Sequence, residues 1–127
     1  MEKFTKVVLF TDTDGKARFK EETIPMDEGT PQTQLTKIFS AEGYQLRFSP
    51  VGFRSQFHVT RKALWIFILT GKMEIGLQDG TTRIFLPGDH FFASDTLPEG
   101  ETFDSSVHGH WSRQVGEEPL RTLSVKV

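Results

Sequence analysis

A small all-β barrel is the fold class this sequence predicts, on three grounds: an aromatic-rich composition, closely spaced turn residues, and short runs with a two-residue period. Twelve Phe, two Trp and one Tyr are bulky side chains that suit a pleated, half-buried surface better than a helix. Asp14-Gly15, Pro25, Gly43, Pro50, Gly71, Asp79-Gly80, Pro87-Gly88, Pro98 and Pro119 cut the chain into strand-length pieces. At 127 residues and 14.5 kDa the expectation is a single domain over 1–127, large enough to bury about two-thirds of its unfolded surface around one core.

The first two pieces, Phe4 to Phe10 and Ala17 to Ile24, read as strands joined by a turn at Asp14-Gly15. Asp27 to Gln32 is the loosest segment and is expected to be a connector. Thr33 to Phe39 has the only helix-like spacing, through Leu35, Ile38 and Phe39, and could equally be irregular. Tyr44, Leu46 and Phe48 alternate with Gln45, Arg47 and Ser49, which is the pattern of a half-buried strand. Leu64-Trp65-Ile66-Phe67-Ile68-Leu69 is apolar on both faces, as a central strand is when covered on both sides. Met73, Ile75 and Leu77 form another alternating strand, and the following Asp79-Gly80 is the dipeptide of a two-residue primed turn, so a hairpin is expected there. Short antiparallel strands with close turns mean a sandwich or a barrel, and the continuous apolar strand favours a closed jelly roll.

A net charge of −2 with scattered basic residues offers no footprint for nucleic acid. The absence of cysteine excludes disulfides, thiolate metal sites and thiol catalysis. The longest apolar run, Ala63 to Leu69, is too short to span a bilayer, and Val7 to Phe10 is too short for the apolar part of a secretion signal, so no membrane partner and a cytoplasmic location are expected. No Gly-x-Ser-x-Gly elbow and no phosphate-binding glycine loop are present.

Several ordered pieces resemble the cupin superfamily. Gly52-Phe53-Arg54-Ser55-Gln56-Phe57-His58 looks like the opening of the first cupin motif, a Gly, five residues and a His, and that motif closes at Gly71. Phe85-Leu86-Pro87-Gly88-Asp89 looks like the turn that opens the second motif, and Gly109-His110 like its histidine. The resemblance covers 43–127, with 1–42 as N-terminal strands and connector, and is nearest to small single-domain bacterial cupins. It implies a jelly-roll barrel, the double-stranded β-helix, with pairing into a homodimer through the N-terminal strands. It also implies a metal held by three histidines and a glutamate, but Thr60 and Leu64 stand where the second histidine and the glutamate are usual.

Strand parity puts Arg54, Gln56, His58 and Thr60 on one face. By resemblance that face points into the barrel and lines a small-molecule pocket with His110, with Ile66 and Ile68 as apolar wall; the alternative places Arg54 and Gln56 outside. If Ser106 to Arg113 is extended, His108 and His110 share a face, and His58, His108 and His110 become a candidate site for one divalent transition metal, iron, nickel, zinc or manganese, aided by Asp95 or Asp104. His90 reads as an ordinary strand histidine, Trp111 as packing away from the histidines, and Thr96 to Ser105 as a loop at the barrel mouth. Two function classes remain open: a metal-free barrel binding a small molecule, favoured by Leu64, and a metal-dependent oxygenase or isomerase on a small polar substrate, favoured by His108.

Overall fold

The computed structural model describes residues 1–127 and contains no helix. Its strands are β1 Lys3–Thr11, β2 Ala17–Pro25, β3 Glu28–Thr30, β4 Thr33–Leu35, β5 Gly43–Ser49, β6 Leu64–Thr70, β7 Lys72–Gly76, β8 Thr82–Phe85, β9 His90–Ser94, β10 Trp111–Val115 and β11 Leu120–Lys126. One sheet has six strands in the order β2-β1-β9-β6-β11-β5, and a second has three in the order β10-β7-β8. Single bridges from Arg54 to Arg113 and from His58 to His110 add the 54–58 segment beside β10. The result is the expected all-β jelly roll, two sheets packed over one apolar core.

The core forms where the inner faces meet. Val7 and Leu9 of β1, Ile68 of β6, Ile75 of β7, Phe85 of β8, Phe91 and Ala93 of β9, and Leu120 of β11 are buried together. As expected, β6 is central, with Ile66 and Ile68 facing inward. Trp65 and Phe67 lie on the opposite face, stacked at 5.8 Å. β1 pairs in parallel with β9, so the N-terminal strands β1 and β2 continue the large sheet.

Both Asp-Gly turns close hairpins, but not as two-residue primed turns. No non-glycine residue has positive φ, so Asp79 cannot supply the first left-handed position. Instead Gly80 donates to the Leu77 carbonyl at 3.1 Å, Leu77 donates to Thr81 at 2.9 Å, and Gly80 alone is left-handed. Asp12 to Lys16 repeats this arrangement with Gly15. Each is a three-residue loop ending in a left-handed glycine.

Two expectations about the 30–50 region change. Thr33 to Phe39 is not helical; 33–35 pairs in the small β3–β4 hairpin and the rest is irregular. In β5 the pattern is inverted: Tyr44, Leu46 and Phe48 are exposed, while Gln45 and Arg47 face the barrel interior. Period two fixes which residues share a face but not which face is inward, and register with β11 sets that, because Gln45 lies opposite Ser124, which in turn lies opposite Ile66.

Candidate functional site

The barrel opens into a cavity of about 510 Å³. Leu64, Ile66, Phe91 and Ala93 of the large sheet and Met73 and Ile75 of β7 make its apolar wall, and His58, Thr60, His110 and Ser112 supply polar groups. His58 and His110 are brought together by backbone pairing, His58 N donating to His110 O at 2.9 Å and His110 N to His58 O at 3.0 Å. Their rings then lie 4.6 Å apart.

Each imidazole has its tautomer set by a neighbour. His110 Nδ1 meets Asp95 Oδ2 at 2.8 Å; since a carboxylate can only accept, Nδ1 carries the proton and Nε2 is left with its lone pair. Asp95 is wholly buried, and its other oxygen accepts from Thr11 Oγ at 2.7 Å. His58 Nδ1 donates to the Gln56 carbonyl at 2.9 Å, again leaving Nε2 as the acceptor. His58 stands at the mouth, yet its pKa is lowered, first by partial burial and then by the charges of His110 and Arg47.

Arg47, Arg61 and Lys126 also line it, with Gln45, Leu46 and Ser124, and no Asp or Glu side chain lines the cavity. The chain as a whole is acidic by two charges, so this local excess of cation is a property of the site. Arg47 lay in the sequence as the polar half of an alternating strand, and a pattern read without knowing the inward face could not assign it to the site.

Thr60 joins His58 and His110 as expected, but Arg54 and Gln56 do not. They border a separate surface groove with Phe57, Phe103 and Trp111. Parity fails because 52–60 is not a regular strand: it touches β10 only at single bridges, and its course between them lets Ser55 Oγ approach His58 Nδ1 at 3.3 Å and Ser112 Oγ at 3.2 Å. Ile68 is in the core beneath the cavity rather than on its wall.

His108 is not brought to the other two histidines. The residue between them, Gly109, has φ of 86°, which breaks the alternation an extended strand would impose. His108 is buried instead against Gly15 and Phe103. Its Nδ1 accepts from Asp104 N at 2.9 Å and its Nε2 donates to Glu101 at 2.8 Å. Trp111 packs over Gly76, away from the cavity, and His90 lies on the outer face of the large sheet among Phe4, Trp65 and Phe67.

The donor set does not fit the three-histidine centre. Nowhere do three or more His, Asp or Glu side chains gather as a metal cluster, and two imidazoles are half of a four-coordinate shell. Arg47, Arg61 and Lys126 around them further oppose a cation. No helix is long and apolar enough to cross a membrane.

No protein-family model and no curated protein matches the sequence. Among solved structures, the chain is similar to the Schizosaccharomyces pombe Cnp3 cupin domain, with 15% identity and a TM-score of 0.48 over 100% of this chain and 84% of that one. It is also similar to a candidate mannose-6-phosphate isomerase from Ralstonia eutropha, with 16% identity and a TM-score of 0.38 over 98% and 83%.

Proposed function

We propose that this chain is a cupin-type barrel whose cavity binds a small organic anion. The observation that carries the reading is the cavity's lining: three cationic side chains, Arg47, Arg61 and Lys126, beside two histidine acceptors, over an apolar wall and with no carboxylate. A cavity of about 510 Å³ lies in the range of small-molecule pockets, in which apolar wall supplies affinity and a few polar groups fix orientation. Charged hydrogen bonds from guanidinium and ammonium groups suit a carboxylate or phosphate.

Calorimetric titration with malonate, citrate and inorganic phosphate, against glucose as an uncharged probe, tests this. At least one anion should bind and glucose should not, and Arg47→Ala should weaken the anion about tenfold or more, the scale of one charge-assisted hydrogen bond. Equal binding of glucose, or no anion bound at millimolar concentration, overturns the reading.

The Asp95–His110 pair favours a second reading in which the bound anion is also a carbon acid. An imidazole oriented by a buried carboxylate beside a bound substrate is the arrangement of a general base. Deuterium exchange from D2O into a bound malonate methylene, accelerated by the protein and lost in His110→Gln, is the outcome expected; a rate equal to that in buffer removes this reading while leaving anion binding intact.

A further inference from the structure

Polar and apolar groups of the cavity are sorted to opposite sides of it. Side chains directly across from one another in a ladder share a face, so the register of the large sheet shows how its inner surface changes across the barrel. One row runs from Gln45 of β5 through Ser124 of β11 to Ile66 of β6 and Phe91 of β9, and a neighbouring row runs from Lys126 of β11 through Leu64 of β6 to Ala93 of β9. In both, the polar side chains stand on β5 and β11 and the apolar ones on β6 and β9. The small sheet repeats this order. Ser112 of β10 lies opposite Ile75 of β7, and His58 joins His110 just before β10, on the side that β7 does not occupy.

The two polar edges meet, and so do the two apolar ones. β5 runs into the 54–58 segment through residues 50–53 alone, and the Arg47 guanidinium lies over the Phe53 ring at 5.2 Å. Phe91 of β9 packs on Phe85 of β8 with ring centroids 4.7 Å apart, and Met73, Ile75 and Phe91 belong to one buried cluster. Charge follows the polar side: Arg47 and Lys126 stand on β5 and β11, with Arg61 on the connection to β6. The ion-paired Lys and Arg side chains of this chain are Lys6, Arg18, Lys20, Lys62 and Arg113, so Arg47, Arg61 and Lys126 remain available to a ligand.

We infer that the ligand is an amphipathic organic acid: one anionic end meets Arg47 and Lys126, and an uncharged apolar body, an alkyl chain or a ring, lies against Ile66, Ile75 and Phe91. The inference rests on the anion reading above and narrows it to a chemical class. An acid charged at both ends would set its second carboxylate among Ile66, Ile75 and Phe91, where no donor replaces the water it loses. A sugar phosphate would strand its hydroxyls there in the same way. An apolar body instead gains from every methylene it buries, and a cavity of about 510 Å³ is of the size that encloses most of a small molecule.

Calorimetric titration of the full chain with butyrate, hexanoate and octanoate, and with hexanol as the uncharged counterpart of hexanoate, tests it. Affinity should rise about fourfold for each added methylene, the ratio that ~0.8 kcal/mol per buried methylene corresponds to. Hexanoate should bind about tenfold or more tighter than hexanol, the scale of one charge-assisted hydrogen bond, and citrate should bind more weakly than octanoate. Arg47→Ala should weaken all three acids by a similar factor without changing the gain per methylene, and Ile66→Thr should shrink that gain while leaving butyrate nearly unchanged. The wild-type series is decisive whether or not Ile66→Thr folds. Binding of malonate, citrate or phosphate, with affinity level from butyrate to octanoate, overturns this inference and leaves the anion reading standing. Hexanol bound as tightly as hexanoate, or no acid bound at millimolar concentration, overturns both.

Discussion

His90 shows how one titratable side chain couples pH to stability. Its Nε2 accepts from Val7 N at 3.3 Å while its ring packs on Phe4 at 4.9 Å, and its pKa is lowered below 6.5, first by burial. His58 is lowered in the same direction. Both groups therefore bind a proton more readily in the unfolded chain, so stability is full above about pH 7 and declines as pH falls through 6.5 toward the lowered folded values. The melting temperature should be level from about pH 7 to 8 and drop on the acid side. His90→Gln keeps an acceptor and removes one titration, and should make that drop shallower; an unchanged slope would show that His90 takes no part. Anion affinity should move the other way. Protonated His58 adds a positive charge at the mouth, so binding of a fully ionised probe should tighten as pH falls below 6.5, and His58→Asn should flatten that rise.

At the level of elements, the pivot is Gly109, in the turn just before β10. It has positive φ, and a Cβ there would lie 2.4 Å from the His58 carbonyl oxygen. Gly109→Ala combines a left-handed alanine with a backbone clash at the bridge that joins His58 to His110. It should cost about 2–4 kcal/mol in urea unfolding, whereas Gly100→Ala, left-handed but in open space, should cost about 1 kcal/mol. Equal costs would show that the close approach is unimportant. The loop Thr96 to Ser105 has no regular structure, and its far end is tied by the His108 contacts to Glu101 and Asp104. Amide exchange should be faster there than in β6. His108→Ala should speed it about tenfold or more at 101–106 through loss of two hydrogen bonds of about 1 kcal/mol each, with β6 unchanged. Exchange unaltered at 101–106 would mean that the loop is held by other contacts.

For the molecule as a whole, what the sequence determined was the kind of element and its limits. Aromatic and β-branched runs between Gly and Pro made strands, Asp-Gly pairs made turns, and the two-sided apolar run made a central strand, because these depend on neighbours within a few residues. His58 and His110 were legible through their place in an ordered motif. What only the tertiary structure decided was the inward face of each element. Tyr44, Leu46 and Phe48 looked like core and lie outside, while Arg47 became part of the cavity, because alternation is symmetric until pairing with β11 breaks the symmetry. Arg54 and Gln56 left the cavity, and His108 left the histidine pair for Glu101, because one left-handed glycine and a segment held at single bridges undo the parity that a regular ladder would enforce. The carboxylate behind His110 comes from Asp95, 15 residues earlier, and a contact across that separation is set by how the strands close, not by any local pattern.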